Sequence, residues 1–158
     1  MDLRYITLDS RAVLTVSGED RADFLQGLIS NDIEQVAPDT SIWAALLTPQ
    51  GKYLHDFFIV EMNSQYFLDC EAQRIMDLGQ RLSRFKLRSK VEFSIGDSFT
   101  VFALLGEDAK KSIGLTEMCG NAKTFSEGIA YVDPRLATAG IRLIAPQNTA
   151  IQALHDIG

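Results

Sequence analysis

Asp56 is the residue best placed to do chemistry in this chain. It lies in the run Leu47-Thr48-Pro49-Gln50-Gly51-Lys52-Tyr53-Leu54-His55-Asp56-Phe57-Phe58-Ile59-Val60, where a polar turn opens into an apolar strand carrying one acid near its start. Pro fixes φ and Gly supplies a positive φ, so Pro49-Gln50-Gly51 reads as a turn with a mechanism. Asp is poor strand material. A carboxylate among Leu54, Phe57, Phe58 and Ile59 points to solvent, caps a strand end, or occupies a pocket with a partner, and on chemistry alone the exposed strand-edge acid is the commonest outcome. His55 beside it suggests an acid–base pair, yet adjacent strand residues face opposite ways, so only one of the two can reach a given pocket.

Other chemistries leave no pattern. There is no G-x-G-x-x-G or G-x-x-x-x-G-K run to cradle phosphate and no serine elbow. Cys70 and Cys119 stand apart without neighbouring His ligands, so no metal site is expected; two reduced thiols point to a cytoplasmic protein. The net charge of −6 disfavours direct nucleic-acid binding. The one basic concentration is Arg74, Arg81, Arg84, Lys86, Arg88 and Lys90, read as a solvated helix face or an interaction surface. With no apolar signal segment and no apolar run of membrane-spanning length, neither secretion nor membrane insertion is expected.

The elements that must position Asp56 read as follows. Tyr5–Leu8 and Ala12–Val16 predict two strands of a hairpin around Asp9-Ser10-Arg11. Ser17 with Asp20 fits a capping box for a helix whose stripe is Ala22, Leu25, Leu28 and Ile29, closed by Asn31 and Asp32. Strands over 42–47, 53–61 and 65–68 form a meander, and residues 71–85 form the clearest helix, with Ile75, Leu78, Leu82 and Phe85 on one face. Strands over 91–94, 99–105, 129–132 and 141–145 follow, with a short helix over 106–113 and a last one after Pro146. Without a βαβ rhythm, this order predicts an α+β chain of mainly antiparallel sheets with packed helices. The last helix stops at Gly158, which suggests a piece of a longer protein. Trp43 and Phe57 are expected in the core.

Three separated stretches resemble a known family. Ser17-Gly18-Glu19-Asp20-Arg21-Ala22-Asp23-Phe24-Leu25-Gln26-Gly27-Leu28-Ile29-Ser30-Asn31-Asp32-Ile33, then Leu47-Thr48-Pro49-Gln50-Gly51-Lys52, are similar to the opening of the folate-binding YgfZ/GcvT superfamily; Asp133-Pro134-Arg135-Leu136 with Gly140-Ile141-Arg142-Leu143 resembles its YgfZ branch. The resemblance implies amino-terminal lobes with ferredoxin-like elements, residues 1–40 and 96–158 forming the first and 41–95 an inserted meander-plus-helix lobe, with a carboxy-terminal barrel not present in these residues. It implies a folate-binding accessory protein for maturation or repair of iron–sulfur proteins, with an indirect effect on tRNA modification and without turnover of its own. The alternative is a tetrahydrofolate-dependent aminomethyltransferase.

The resemblance also implies roles. Asp56 aligns with the acid set beside the reactive folate nitrogen, where an ionised carboxylate in a partly apolar cleft attracts an iminium-like centre more strongly than in water. Gln26, Asn31 and Asp32 would shape the ligand channel, helix capping explaining the last two equally well, and Arg135 or Arg142 would meet the folate glutamate tail or form a surface ion pair. Tetrahydrofolate or a folate derivative is the implied cofactor, and iron–sulfur clients or assembly proteins the implied partners. Two departures stand out: Gly140-Ile141-Arg142 puts a permanent cation where the transferase branch ends in Glu, and the branch's lysine-glycine-cysteine motif is absent after Asp133.

Overall fold

Side-chain alternation along the strands builds four layers in the computed structural model, which describes residues 2–158. One sheet, in the order β3-β4-β5-β2-β6, comprises β3 (Ile42–Leu47), β4 (Tyr53–Met62), β5 (Gln65–Glu71), β2 (Arg11–Ser17) and β6 (Glu92–Ile95). The other, in the order β1-β7-β10-β9-β8, comprises β1 (Arg4–Thr7), β7 (Thr100–Leu105), β10 (Ile141–Ala145), β9 (Gly128–Val132) and β8 (Ala122–Phe125). Every strand pair is antiparallel. The first sheet is covered on its outer face by α1 (Arg21–Gln26) and α2 (Ile75–Arg84), the second by α3 (Ala109–Ile113) and α4 (Gln147–Ile157). The expected α+β class is the one found.

Three apolar layers hold this together. Ile42, Ala44, Phe57, Ile59 and Leu68 pack under Leu25, Leu78 and Leu82 of α1 and α2. Phe58, Val60 and Phe67 pack between the sheets against Ile129, Tyr131 and Ile144. Phe102, Leu143 and Val132 pack under Ala150 and Leu154 of α4. Since β4 feeds two of these layers, its central run from Phe57 to Val60 is apolar and buried without interruption, as a strand buried on both faces must be. Burying one such Leu, Ile or Phe stabilises the fold by about 1.5–3 kcal/mol. No helix among the described residues is long and apolar enough to cross a membrane.

Several local expectations are corrected. The hairpin over 5–16 does not form: β1 pairs with β7 and β2 with β5 and β6, so the Asp9-Ser10 turn passes the chain from one sheet to the other. Val13 faces the inter-sheet layer while Leu14 and Val16 face the helices, and an isolated hairpin could not bury both faces of β2. The capping box at α1 is absent, because the Asp20 carboxylate accepts the backbone N–H of Lys90 at 2.8 Å instead. Gly18, at φ +109°, allows that approach; a Cβ there would lie 2.1 Å from the Lys90 carbonyl oxygen. α1 ends at Gln26, short of Asn31 and Asp32; Asp32 instead caps the 3-10 turn Ile33–Gln35 by accepting the Glu34 N–H at 3.0 Å. β8 had no readable alternation, being a four-residue edge strand with Lys123 and Thr124 exposed.

Candidate functional site

From His55 onward the side chains of β4 sort by parity. His55, Phe57 and Ile59 turn to the helices, and Asp56, Phe58 and Val60 turn to the inter-sheet side. β3 pairs with β4 so that Trp43 lies opposite Phe58 and Ala45 opposite Asp56. The second sheet covers this face at Phe58 but leaves Trp43 43% exposed. The expectation of a core tryptophan is thus corrected: β3 is an edge strand, and Trp43 lies on its inter-sheet face near Arg135 rather than within the core. Phe57 is fully buried as expected.

At that open end, Asp56 is held by two neutral donors. Its Oδ2 accepts the Trp43 indole N–H at 3.0 Å and its Oδ1 accepts the Tyr53 hydroxyl at 2.8 Å. Burial, then the hydrogen bond and charge of Asp56, push the Tyr53 phenol above its ordinary value, so it remains a donor at neutral pH. Asp56 has no ion-pair partner within 4.0 Å among the described residues. It therefore presents a carboxylate oriented by neutral groups and available to a cationic or N–H-bearing ligand.

Behind Asp56 three guanidinium groups surround the Phe58 ring, with Arg142, Arg135 and Arg11 at 4.5, 4.8 and 5.8 Å from its centroid. Arg135 also lies 5.9 Å from the Trp43 ring and grips Asp133 through Nε at 3.0 Å and Nη2 at 2.7 Å. Burial acts to raise the Asp133 pKa, but the side-chain and backbone donors of Arg135 outweigh it and hold the carboxyl below its usual value. Asp69, wholly buried, accepts from Arg11 Nε at 2.7 Å, Arg142 Nε at 2.8 Å and the Tyr131 hydroxyl at 2.8 Å. This cluster ties β2 and β5 of one sheet to β9 and β10 of the other. Burial opposes the charge of Arg142, yet Tyr131 and Asp69 outweigh it and raise its pKa. Its Nη2 is buried with no hydrogen-bond partner. A buried donor left unmet is costly, so it marks a place where a ligand acceptor or a water belongs.

Of the sequence-derived candidates, the fold brings together Asp56, Arg135 and Arg142, all within the Trp43–Phe58 cluster. Asn31 joins from behind, donating from Nδ2 to the Trp43 carbonyl at 3.0 Å. A cleft of about 270 Å³ lined by Asn31, Ser41, Trp43, Cys119 and Pro134 opens beside the indole. Gln26 and Asp32 are elsewhere engaged: Gln26 donates to Asp32 at 3.1 Å and accepts the Ile33 N–H at 2.7 Å, bracing a loop. His55 is buried on the opposite face with Nε2 2.7 Å from Asp77 Oδ2, an oxygen shared with Arg81 Nε at 2.8 Å. Both cysteines are free; burial first, then Asp69, pushes the Cys70 thiol up to about 12, while Cys119 is exposed.

Sequence reasoning missed Asp69, Tyr131, Tyr53, Arg11 and the role of Phe58. Asp69 had a readable signal, an acid set in the apolar run Tyr66-Phe67-Leu68-Asp69-Cys70. That run was expected to end at Leu68, whereas β5 continues to Glu71.

No family model matches the chain. Among curated proteins it is similar to the mitochondrial iron-sulfur cluster assembly factor IBA57 homolog of Neurospora crassa, at 29% identity over 157 residues covering 94% of this chain and 36% of that protein. It is also similar to the mitochondrial iron-sulfur cluster assembly factor IBA57 of Mus musculus, at 29% identity, covering 87% of this chain and 41% of that one. The chain thus spans about two fifths or less of the length of these relatives. Among solved structures, aminomethyltransferase T of the glycine cleavage system from Bartonella henselae superposes with a TM-score of 0.78 at 14% identity, covering 98% of this chain and 45% of that one. A chain of the heterotetrameric sarcosine oxidase from Corynebacterium sp. U-96 superposes at 0.64 with 10% identity, covering 98% and 83%. At these identities the two structures share the fold. The expectation of a cytoplasmic protein is overturned, because the relatives are mitochondrial. Reduced thiols argue only against oxidising compartments and do not discriminate among reducing ones.

Proposed function

We propose that this chain belongs to a mitochondrial iron–sulfur cluster assembly factor and forms its folate-facing part. The relatives support the first half, being iron-sulfur cluster assembly factors matched along 87–94% of this chain. The observation that carries the second half is Asp56, a carboxylate without a cationic partner, aimed by Trp43 and Tyr53 at an open edge beside three guanidinium groups. The donor set fits a folate: an exposed indole for a planar ring, Asp56 for ring N–H groups, and the unmet Nη2 of Arg142 for a carboxylate. Bound folate would supply a carrier for one-carbon chemistry, while these residues orient it.

In this reading the lobe formed by residues 41–95 sits within 1–40 and 96–158, with β2 shared across the boundary. Gln26 and Asp32 act indirectly, by bracing the loop that places Asn31. Any effect on tRNA modification follows indirectly from iron–sulfur enzymes served by the factor. Aminomethyl transfer is not favoured: the transferase likeness rests on fold alone at 14% identity, and the sequence resemblance puts Arg142 where that branch would have an acid.

The test is calorimetric titration of tetrahydrofolate into the full-length protein and its Asp56→Ala variant, alongside the activity of iron–sulfur enzymes in cells depleted of the natural protein. Saturable binding weakened about tenfold or more by the substitution supports the site. Binding indifferent to Asp56 removes this residue from it, and no binding removes folate from the proposal. Rescue of iron–sulfur enzyme activity is expected from the natural protein; its failure would sink the assembly role.

A further inference from the structure

The far face of the first sheet carries a surface that the folate reading does not use. α2 ends at Arg84, and beside it a pocket of about 380 Å³ is walled by Leu28, Leu46, Leu54 and Phe85, with Arg81 and Arg84 at its rim. Arg81 is anchored to Asp77, whereas Arg84 and Arg88 make no ion pair within 4.0 Å among the described residues. Beyond the rim Phe85 is 52% exposed and Leu87 89% exposed. Leu87 is moreover held at φ +43°, a left-handed conformation unfavourable to a bulky side chain. The chain thus spends both strain and apolar exposure at one basic corner of a molecule whose net charge is −6.

We infer that this corner, built by Arg84, Phe85, Leu87 and Arg88 around the α2 pocket, docks an acidic partner segment that inserts one bulky apolar side chain. Charge complementarity sets the acidic character: unpaired guanidinium groups beside a desolvated pocket select carboxylates. The concave pocket sets the anchor, because a single Leu, Phe or Trp side chain is the unit that fills such a hole and dominates binding. Exposed apolar area outside the pocket requires an occupant larger than a small carboxylic acid. A nucleic acid would answer the guanidinium groups but leave the apolar Phe85 and Leu87 uncovered. The surface lies on the helical side of β4 and the folate candidate on the inter-sheet side, so both can be occupied together.

The test is fluorescence anisotropy on the full-length protein, with a fluorescein-labelled synthetic peptide in which Leu-Phe is flanked by glutamates on both sides. Saturable binding is expected, weakened about tenfold by Arg84→Glu and about fivefold by Phe85→Ala, and weakened severalfold when salt rises from about 0.05 to about 0.3 M. Both substituted side chains lie at the surface, so thermal midpoints should match the parent. Arg84→Glu should leave the tetrahydrofolate titration unchanged, so the two proposals fail separately. The inference is overturned if the peptide does not bind, or if serines replacing Leu-Phe bind equally well. It is likewise overturned if sedimentation reveals a dimer abolished by Phe85→Ala without peptide binding, which would make a second copy the occupant.

Discussion

His55 and Asp56 are neighbours on one strand, and their fates diverge completely. His55 is buried beneath α2, where Asp77 engages it and is itself held by Arg81. Asp56 faces the inter-sheet side, where its hydrogen-bond partners are the exposed aromatics Trp43 and Tyr53. Two titratable residues one step apart differ in chemistry because of what lies above each face of the sheet. Further into the same inter-sheet layer, Asp69 gives a third case: the same residue type as Asp56, saturated by Arg11, Arg142 and Tyr131 and wholly enclosed.

The contrast predicts a gradient of effects. Asp69→Ala should be the most damaging, since it strands two guanidinium groups in the interior at a cost of about 3–5 kcal/mol. Urea unfolding would measure it, and a loss under about 1 kcal/mol would show the cluster to be dispensable. His55→Ala should destabilise by about 1–3 kcal/mol through lost packing and hydrogen bonding while leaving tetrahydrofolate affinity unaltered; a weakened folate titration would end the division between the two faces. Asp56→Ala should change stability by no more than about 0.5 kcal/mol and yet lower folate affinity about tenfold. The reverse pattern would make Asp56 structural.

Stability against pH separates the layers further. Burial, followed by the Asp69 charge, pushes the Tyr131 phenol well above its ordinary value of 10.0. The unfolded phenol ionises first, so the stability this group confers is full below that value and is lost as pH rises beyond it. Tyr131→Phe should flatten the alkaline limb of a stability profile. Asp133 has the opposite sign: with its folded pKa below 3.8, its contribution is present above that value and is lost as pH falls through the folded pKa. Arg135→Gln should therefore flatten the acid limb while leaving the alkaline one in place.

Much of the fold was readable from residue order. β4 was expected over 53–61 and runs to Met62, and the helix expected over 71–85 is a 3-10 turn followed by α2, because turn residues and uninterrupted apolar patterns leave few alternatives locally. Strand partners were harder. Tyr5–Leu8 and Ala12–Val16 read as strands, but nothing local distinguishes a hairpin from two strands leaving for different sheets. In the site, Asp56, Arg135 and Arg142 were reached through family resemblance, and Asp56 also through its unfavourable place in an apolar strand. Asp69 escaped notice because a buried acid is intelligible only once its partners are known, and they lie 58 to 73 residues away in sequence.

The chain's sequence by itself determined which residues share a face wherever a strand runs without a bulge, since a period of two assigns side chains to faces there; at the irregularity between β3 and β4, Leu54 departs from it and packs on the helix side. It determined as well that His55 and Asp56 cannot serve one pocket. Only the tertiary structure decided which face is sealed and which is open, because that depends on how far one sheet extends over the other. The same overlap encloses Asp69 with three donors and leaves Asp56 at the edge beside Trp43 and Tyr53.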